Sequence, residues 1–410
     1  MVTEEQKEKF AELIVKTGAG VKKGQTIIIR AQVELEDFVA LVSRKCYEAG
    51  AKNVFIHWQS QKVDKADYTC AALEDLSKVT PFEKEAWKYF GENLCSLIWL
   101  DGEDPDGLSG IDAGKFATVK QLKYKVIGKY KKMTENTIPW CIAGVPTRNW
   151  AKKVFPEAKS DEEAMDKLWE AILYTSRALD GNGIENWKKH EEDLKTRCKA
   201  LNALRLKKLH YVSKNGTDLT VGLIPGVIFL GGGEKDIAGD FFEPNIPSEE
   251  CFTSPLKGAA EGIVYSTKPL IYQGQRIEDF SVRFHKGKAV EVHARIGEEV
   301  LKSILTLDKG SAYLGECALV PVDSPISQSN ILFYNTLFDE NASCHLALGT
   351  GFTSLYPGFE KLGDKEVHKK GINFSQSHVD FMIGSDSLSI TGTTEDGKDV
   401  PIFRNGTWAF

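Results

Sequence analysis

A chain of 410 residues exceeds what one hydrophobic core usually organises, so two domains are expected. Apolar residues make up 42% and charged residues 27%, an ordinary globular balance that excludes wholesale disorder. The net charge of −6, with no long Lys/Arg block, argues against nucleic acid as a partner, and no apolar run is long enough to span a bilayer.

The N-terminal segment lacks the basic start and apolar core of a signal peptide, so a cytoplasmic protein is expected. Thr3 and Gln6 form a capping-box start for a first helix with Phe10, Leu13 and Ile14 as its apolar stripe. The run KGQTIIIRA (23–31) predicts a buried strand, 38–49 an amphipathic helix ended by Gly50, and NVFIHW (53–58) a second strand. Further apolar runs, SLIWL (96–100) and PWCIAGV (139–145), alternate with helical segments. Near-continuous hydrophobicity in such strands points to a mostly parallel sheet covered on both faces. No glycine-rich phosphate loop follows any of them, so a nucleotide site is unsupported. Ser160 and Glu163 open another helix, and a further one from about 184 to 205 carries the chain onward.

After Leu206 the texture changes. Strand-like segments flank Asn215-Gly216 and again Lys286-Gly287, the dipeptides of tight hairpins. The expected architecture is therefore an α/β N-terminal domain over 1–205, then an α+β domain over 206–410 with antiparallel hairpins. Gly231, Gly232 and Gly233 read as a flexible turn, because no strand-to-helix context makes them a phosphate cradle.

The second half holds six of the eight histidines. His378 and Asp380, two apart in an apolar run, share one face of a strand. His345 reads as part of a short helix opened by Asp339, Glu340 and Asn341 and ended by Gly349. Glu250 and Glu316 stand in otherwise uncharged surroundings, where an unpaired carboxylate is costly to bury and a cation removes the cost. Two imidazoles and three carboxylates in one cleft suit a pair of divalent cations. The eight cysteines show no C-x-x-C pair, and Cys251 and Cys317, adjacent to the candidate glutamates, are expected to face the other way and pack.

The segments NIPSEECFTSP, YLGECALVP, NTLFDENASCHLALG and INFSQSHVDFMIG resemble the signature segments of the thermophilic metalloaminopeptidase family, which includes aminopeptidases T and S. The similarity continues through GQTIIIRA, EAGAKNVFI and PIFRNG and covers essentially the whole chain. The resemblance implies a homodimeric exopeptidase that removes N-terminal residues from short peptides, with two divalent ions per subunit: zinc, cobalt or manganese. It places the metal ligands on Glu250, Glu316, His345, His378 and Asp380, all of matching type. Glu316 and Glu250 are the candidates for the carboxylate that moves the proton, and each can equally serve as ligand or bridge. One position departs: the family's tyrosine, seven residues after the histidine, is Phe352 here. Loss of that phenol motivates an alternative, a metal- and peptide-binding member with weakened or lost catalysis.

Overall fold

The computed structural model describes residues 1–134, 137–272 and 275–410. Within them the chain forms two compact units, residues 1–188 with 233–247, and residues 189–232 with 248–410. The helix Gly183–Ala203 contains the point at which the chain leaves the first unit for the second.

The first unit has the expected α/β architecture. Strands Asn53–Gln59, Thr26–Gln32, Ser96–Asp101, Trp140–Gly144 and Asn245–Ile246 lie side by side in that order, all parallel. Parallel neighbours need crossovers, and helices such as Glu36–Glu48, Pro81–Glu92 and Ala113–Lys131 supply them. On one face Ile27, Ile29, Ile98, Leu100, Cys141 and Ala143 are fully buried. Thr3 and Gln6 make the reciprocal capping box. Ser160 accepts the Glu163 N–H, but the Glu163 carboxylate bonds the Lys159 N–H, one residue outside the cap.

The second unit is α+β. Its larger sheet is antiparallel and includes both expected hairpins, Leu206–Val212 with Asp218–Leu223 and Gln275–His285 with Lys288–Ile296. Gly216, Lys286 and Gly287 adopt φ of 101°, 50° and 76°, the left-handed conformations of tight turns. A smaller antiparallel sheet runs Cys251–Thr253, Leu314–Leu319, His345–Gly349, His378–Met382. It carries the candidate residues.

Candidate metal centre

The small sheet sorts its side chains by the two-residue period of a strand. Cys251, Cys317, Leu346, Leu348, Val379 and Phe381 belong to the hydrophobic core. The alternate positions, Glu316, His345, Ala347, His378 and Asp380, form the opposite face, with Glu250 immediately before its edge strand. In register, Glu316 lies opposite Ala347 and Ala347 opposite Asp380. A methyl group thus separates two carboxylates and leaves space between them.

His345 is not on a helix. The helix covers only Thr336–Glu340, and His345 opens an internal strand paired on both sides. The run HLALG has no local feature that forbids a helix, and two flanking strands decide the matter. Gly349 does not end a helix either. Its φ of 113° and its position, where a Cβ would stand 2.1 Å from the Ser377 carbonyl, let the neighbouring strand approach.

A bulge aims Glu316. Leu314 pairs with Leu348 but Glu316 with Ala347, so one extra residue is absorbed at Gly315. Leu314 therefore faces the core while Glu316 faces the site, although simple alternation would put both on one side. At Gly315 a Cβ would stand 2.1 Å from the Thr350 carbonyl oxygen. That same oxygen accepts the His378 Nδ1–H at 2.8 Å. Gly315→Ala is expected to lower stability by about 1–3 kcal/mol and to weaken divalent-ion binding, because relief of the clash displaces both Glu316 and the His378 support. Denaturant unfolding with and without metal measures both effects.

The polar contacts are close. His345 Nε2 lies 3.0 Å from Glu250 Oε2. His378 Nε2 lies 3.0 Å from Glu316 Oε2 and 3.1 Å from Asp380 Oδ1. Each ring turns Nδ1 to a backbone carbonyl, His345 to Ser343 and His378 to Thr350. Such a bond fixes the tautomer and leaves Nε2 as the atom available to a metal ion. Donor atoms of Glu250, Glu316 and His345 lie within 4.8 Å of one another, as do those of Glu316, His378 and Asp380. Glu316 belongs to both groups.

Burial and crowding set the charges. His345 is buried, which pulls its imidazolium down, but Glu250, Glu316 and Glu340 outweigh that and leave it at about 10. The Glu316 carboxyl is pushed up to about 7 by burial, with Glu250 and Asp380 adding to the rise and His378 opposing it. For Asp380 burial acts upward, but the His378 cation prevails and holds the carboxyl below its usual value. Protons on the two Nε2 atoms thus hold the carboxylates together. A divalent cation offers more charge in the same place. Asp380 Oδ1 supports that fit: it is buried, and its close neighbour, His378 Nε2 at 3.1 Å, already bonds Glu316 Oε2. Nitrogen and oxygen donors of this kind suit zinc, cobalt or manganese.

Glu340, read from the sequence only as a helix opener, also faces this charge. Burial first, then Asp380, Glu250 and Glu316, push its carboxyl well above the usual range. Nothing in its local sequence separates it from an ordinary helical glutamate. Asn341, fully buried, ties the elements together: its Oδ1 accepts the Glu249 N–H at 2.7 Å and its Nδ2 donates to the Leu337 carbonyl at 2.9 Å. Gly231 is less a flexible turn than a close approach, since a Cβ there would stand 2.3 Å from the Glu250 carbonyl. Phe352 lies beside the site, its ring 5.1 Å from that of His378 and 5.3 Å from that of Phe252. Tyr356 packs elsewhere, with Ile224, Val367 and Ile372 and under the Lys370 ammonium.

The donor set is one that could hold divalent metal ions. A model of the thermophilic metalloprotease family M29 matches residues 3–408, and the chain belongs to that family. It is 42% identical to aminopeptidase AmpS of Bacillus subtilis (strain 168) over 402 residues, 98% of each chain. It is 36% identical to aminopeptidase T of Thermus thermophilus over 408 residues, again 98% of each. The solved structure of wild-type AmpT from Thermus thermophilus superposes with a TM-score of 0.90 at 35% identity, covering 99% of this chain and all of that one. Among the described residues no helix is long and apolar enough to cross a membrane.

Proposed function

We propose that the protein is an aminopeptidase that removes N-terminal residues from short peptides, using two divalent ions held by Glu250, Glu316, His345, His378 and Asp380. The observation that carries this reading is the pair of donor groups sharing Glu316. Bound divalent cations supply a polarised carbonyl and a water acidic enough to attack near neutral pH. Glu250 with His345 would hold one ion and His378 with Asp380 the other, with Glu316 available to both. Their imidazole Nδ1–H bonds to Ser343 and Thr350 keep the rings fixed during turnover. Glu316 and Glu250 are the candidates to pass a proton to the leaving amine through an Oε atom, with Glu340 a further carboxyl in the same field. The free α-amine of the substrate is recognised by the excess of carboxylates, which makes the enzyme an exopeptidase. Phe252 and Phe352 provide an apolar wall beside His378.

The test is release of free amino acid from unblocked and N-acetylated peptides, with and without added zinc, cobalt or manganese. Hydrolysis confined to unblocked peptides and dependent on metal is expected. Equal cleavage of the blocked peptide would remove the aminopeptidase reading. A homodimer is proposed on the family resemblance, and a monomer in light scattering that retains full activity would contradict it.

Phe352 favours a second reading, a member with weakened catalysis. A phenol at this position would stand next to the His378 ring, where it can donate to developing oxyanion charge. Phe352→Tyr is therefore expected to raise kcat by up to about 10²-fold with KM nearly unchanged, since the bond forms only in the transition state. A kcat within about twofold of the parent, in fully metallated protein, would show that no donor is missing.

A further inference from the structure

The first unit contains a second group of polar side chains that the metal centre does not use. Its sheet changes direction once. The strand Thr26–Gln32 connects outward to Asn53–Gln59, and the chain then returns past it to Ser96–Asp101. In open α/β sheets ligands bind outside the carboxyl ends of the strands at such a reversal, where successive connections part to opposite sides. Charged and amide groups collect at this place.

Arg30 pairs in register with Trp99, and its guanidinium carbon lies 4.3 Å from the centre of the indole ring. Its Nε donates to Gln59 Oε1. Stacking and this bond fix the guanidinium plane and leave its terminal nitrogens for other partners. Glu103 stands 3.8 Å from Nη2, beyond hydrogen-bond distance. Asp64, Asp101 and Lys120 act on the same pair. The loop that presents Glu103 is firmly held. The Gln61 amide accepts the Asp104 N–H at 2.7 Å and donates to the Asp104 carbonyl at 3.1 Å, while Thr147 Oγ1 donates to the Gly102 carbonyl at 2.8 Å.

Gln32 points to a ligand. It ends the central strand on the face of Arg30, two residues before it, and is 7% exposed. Its side-chain amide has no hydrogen-bond partner among the described residues. The residue is mostly buried, yet its amide atoms are not among the fully buried unpaired ones, so they reach solvent and are free to meet a ligand there.

We propose that this crevice is a second binding site, taking a free α-amino acid as a zwitterion, its carboxylate on Arg30 and the Gln32 amide and its ammonium on Glu103. Charges of both signs select this class. Asp64, Asp101 and Glu103 repel a phosphate or other polyanion, and Arg30 with Lys120 repels a simple cation. A zwitterion satisfies both signs and fits an Arg–Glu pair held slightly too far apart to close on itself. No residue of the metal centre takes part, so the site stands or falls independently of the peptidase reading.

Isothermal calorimetry on the full-length protein, with and without chelator, tests it. The probes are L-leucine under both conditions and, in chelator only so that no hydrolysis to leucine occurs, leucinamide as the cation alone and N-acetyl-L-leucine as the anion alone. Saturable leucine binding that survives chelation is expected, with each half-probe at least about tenfold weaker for lack of one charge-assisted contact. Gln32→Met keeps the volume and removes an amide that has no partner in the protein, so thermal stability is retained or raised. Leucine affinity should nevertheless fall by about five- to tenfold, and in Arg30→Gln by more than about tenfold. Leucine binding that vanishes on chelation, that is unchanged in folded Gln32→Met, or that is absent altogether overturns the proposal.

Discussion

Glu316→Gln is expected to abolish peptide hydrolysis, by about 10³-fold or more, and, on the two-ion proposal, to weaken both ions together. It is the one side chain common to both donor groups, so a single neutral amide removes a charged donor from each. Replacing a residue that serves one group, such as Asp380, should weaken one ion selectively. The same variant should be no less stable than the parent when both are metal-free. In that state burial, with Glu250 and Asp380 adding to it, already pushes the Glu316 carboxyl up to about 7, and a neutral amide relieves this cost. Calorimetric metal titration and thermal unfolding of the two apo-proteins separate these effects. Independent loss of only one ion in Glu316→Gln would show that the glutamate is not shared.

Removal of metal is expected to lower the melting temperature as well as activity, and more so at high pH. Ions that bind only the folded chain stabilise it by about 4 kcal/mol at a thousandfold excess over Kd. For a unit of this size that corresponds to roughly 10 °C. The pH dependence follows from the raised values in the metal-free site. His345, held up at about 10, contributes stability that is fully present below its unfolded value near 6.5 and is lost as pH rises toward 10. Glu316, raised to about 7, likewise favours the folded state only while protonated, and that contribution is lost between its unfolded value and 7. Both protons must leave before a cation binds, so affinity for metal rises over the same range. The gap between metal-loaded and metal-free melting temperatures should therefore widen from pH 6 to 9. A gap that narrows would mean the cation does not displace these protons.

Residue pattern alone accounts for the elements whose geometry depends on near neighbours. The apolar runs of the first unit became parallel strands, and the two Gly-containing dipeptides made hairpins, because hydrophobic periodicity and left-handed turn preference are local properties. His378 and Asp380 share a face for the same reason. Non-local pairing decided the rest. His345 sits on a strand because Leu314–Leu319 and His378–Met382 take up its backbone hydrogen bonds, which no property of HLALG announces. Glu316 faces the site because one residue is absorbed at Gly315, and a register shift of that kind belongs to a pair of strands, never to one. Glu340 joined the carboxylates, and Glu103 came to stand by Arg30 at the sheet's reversal, through packing of segments far apart in the chain. A periodic sequence dictates which side chains share a face; the partners that the face meets are chosen by the free energy of the whole fold, in which each strand's pairing depends on every other.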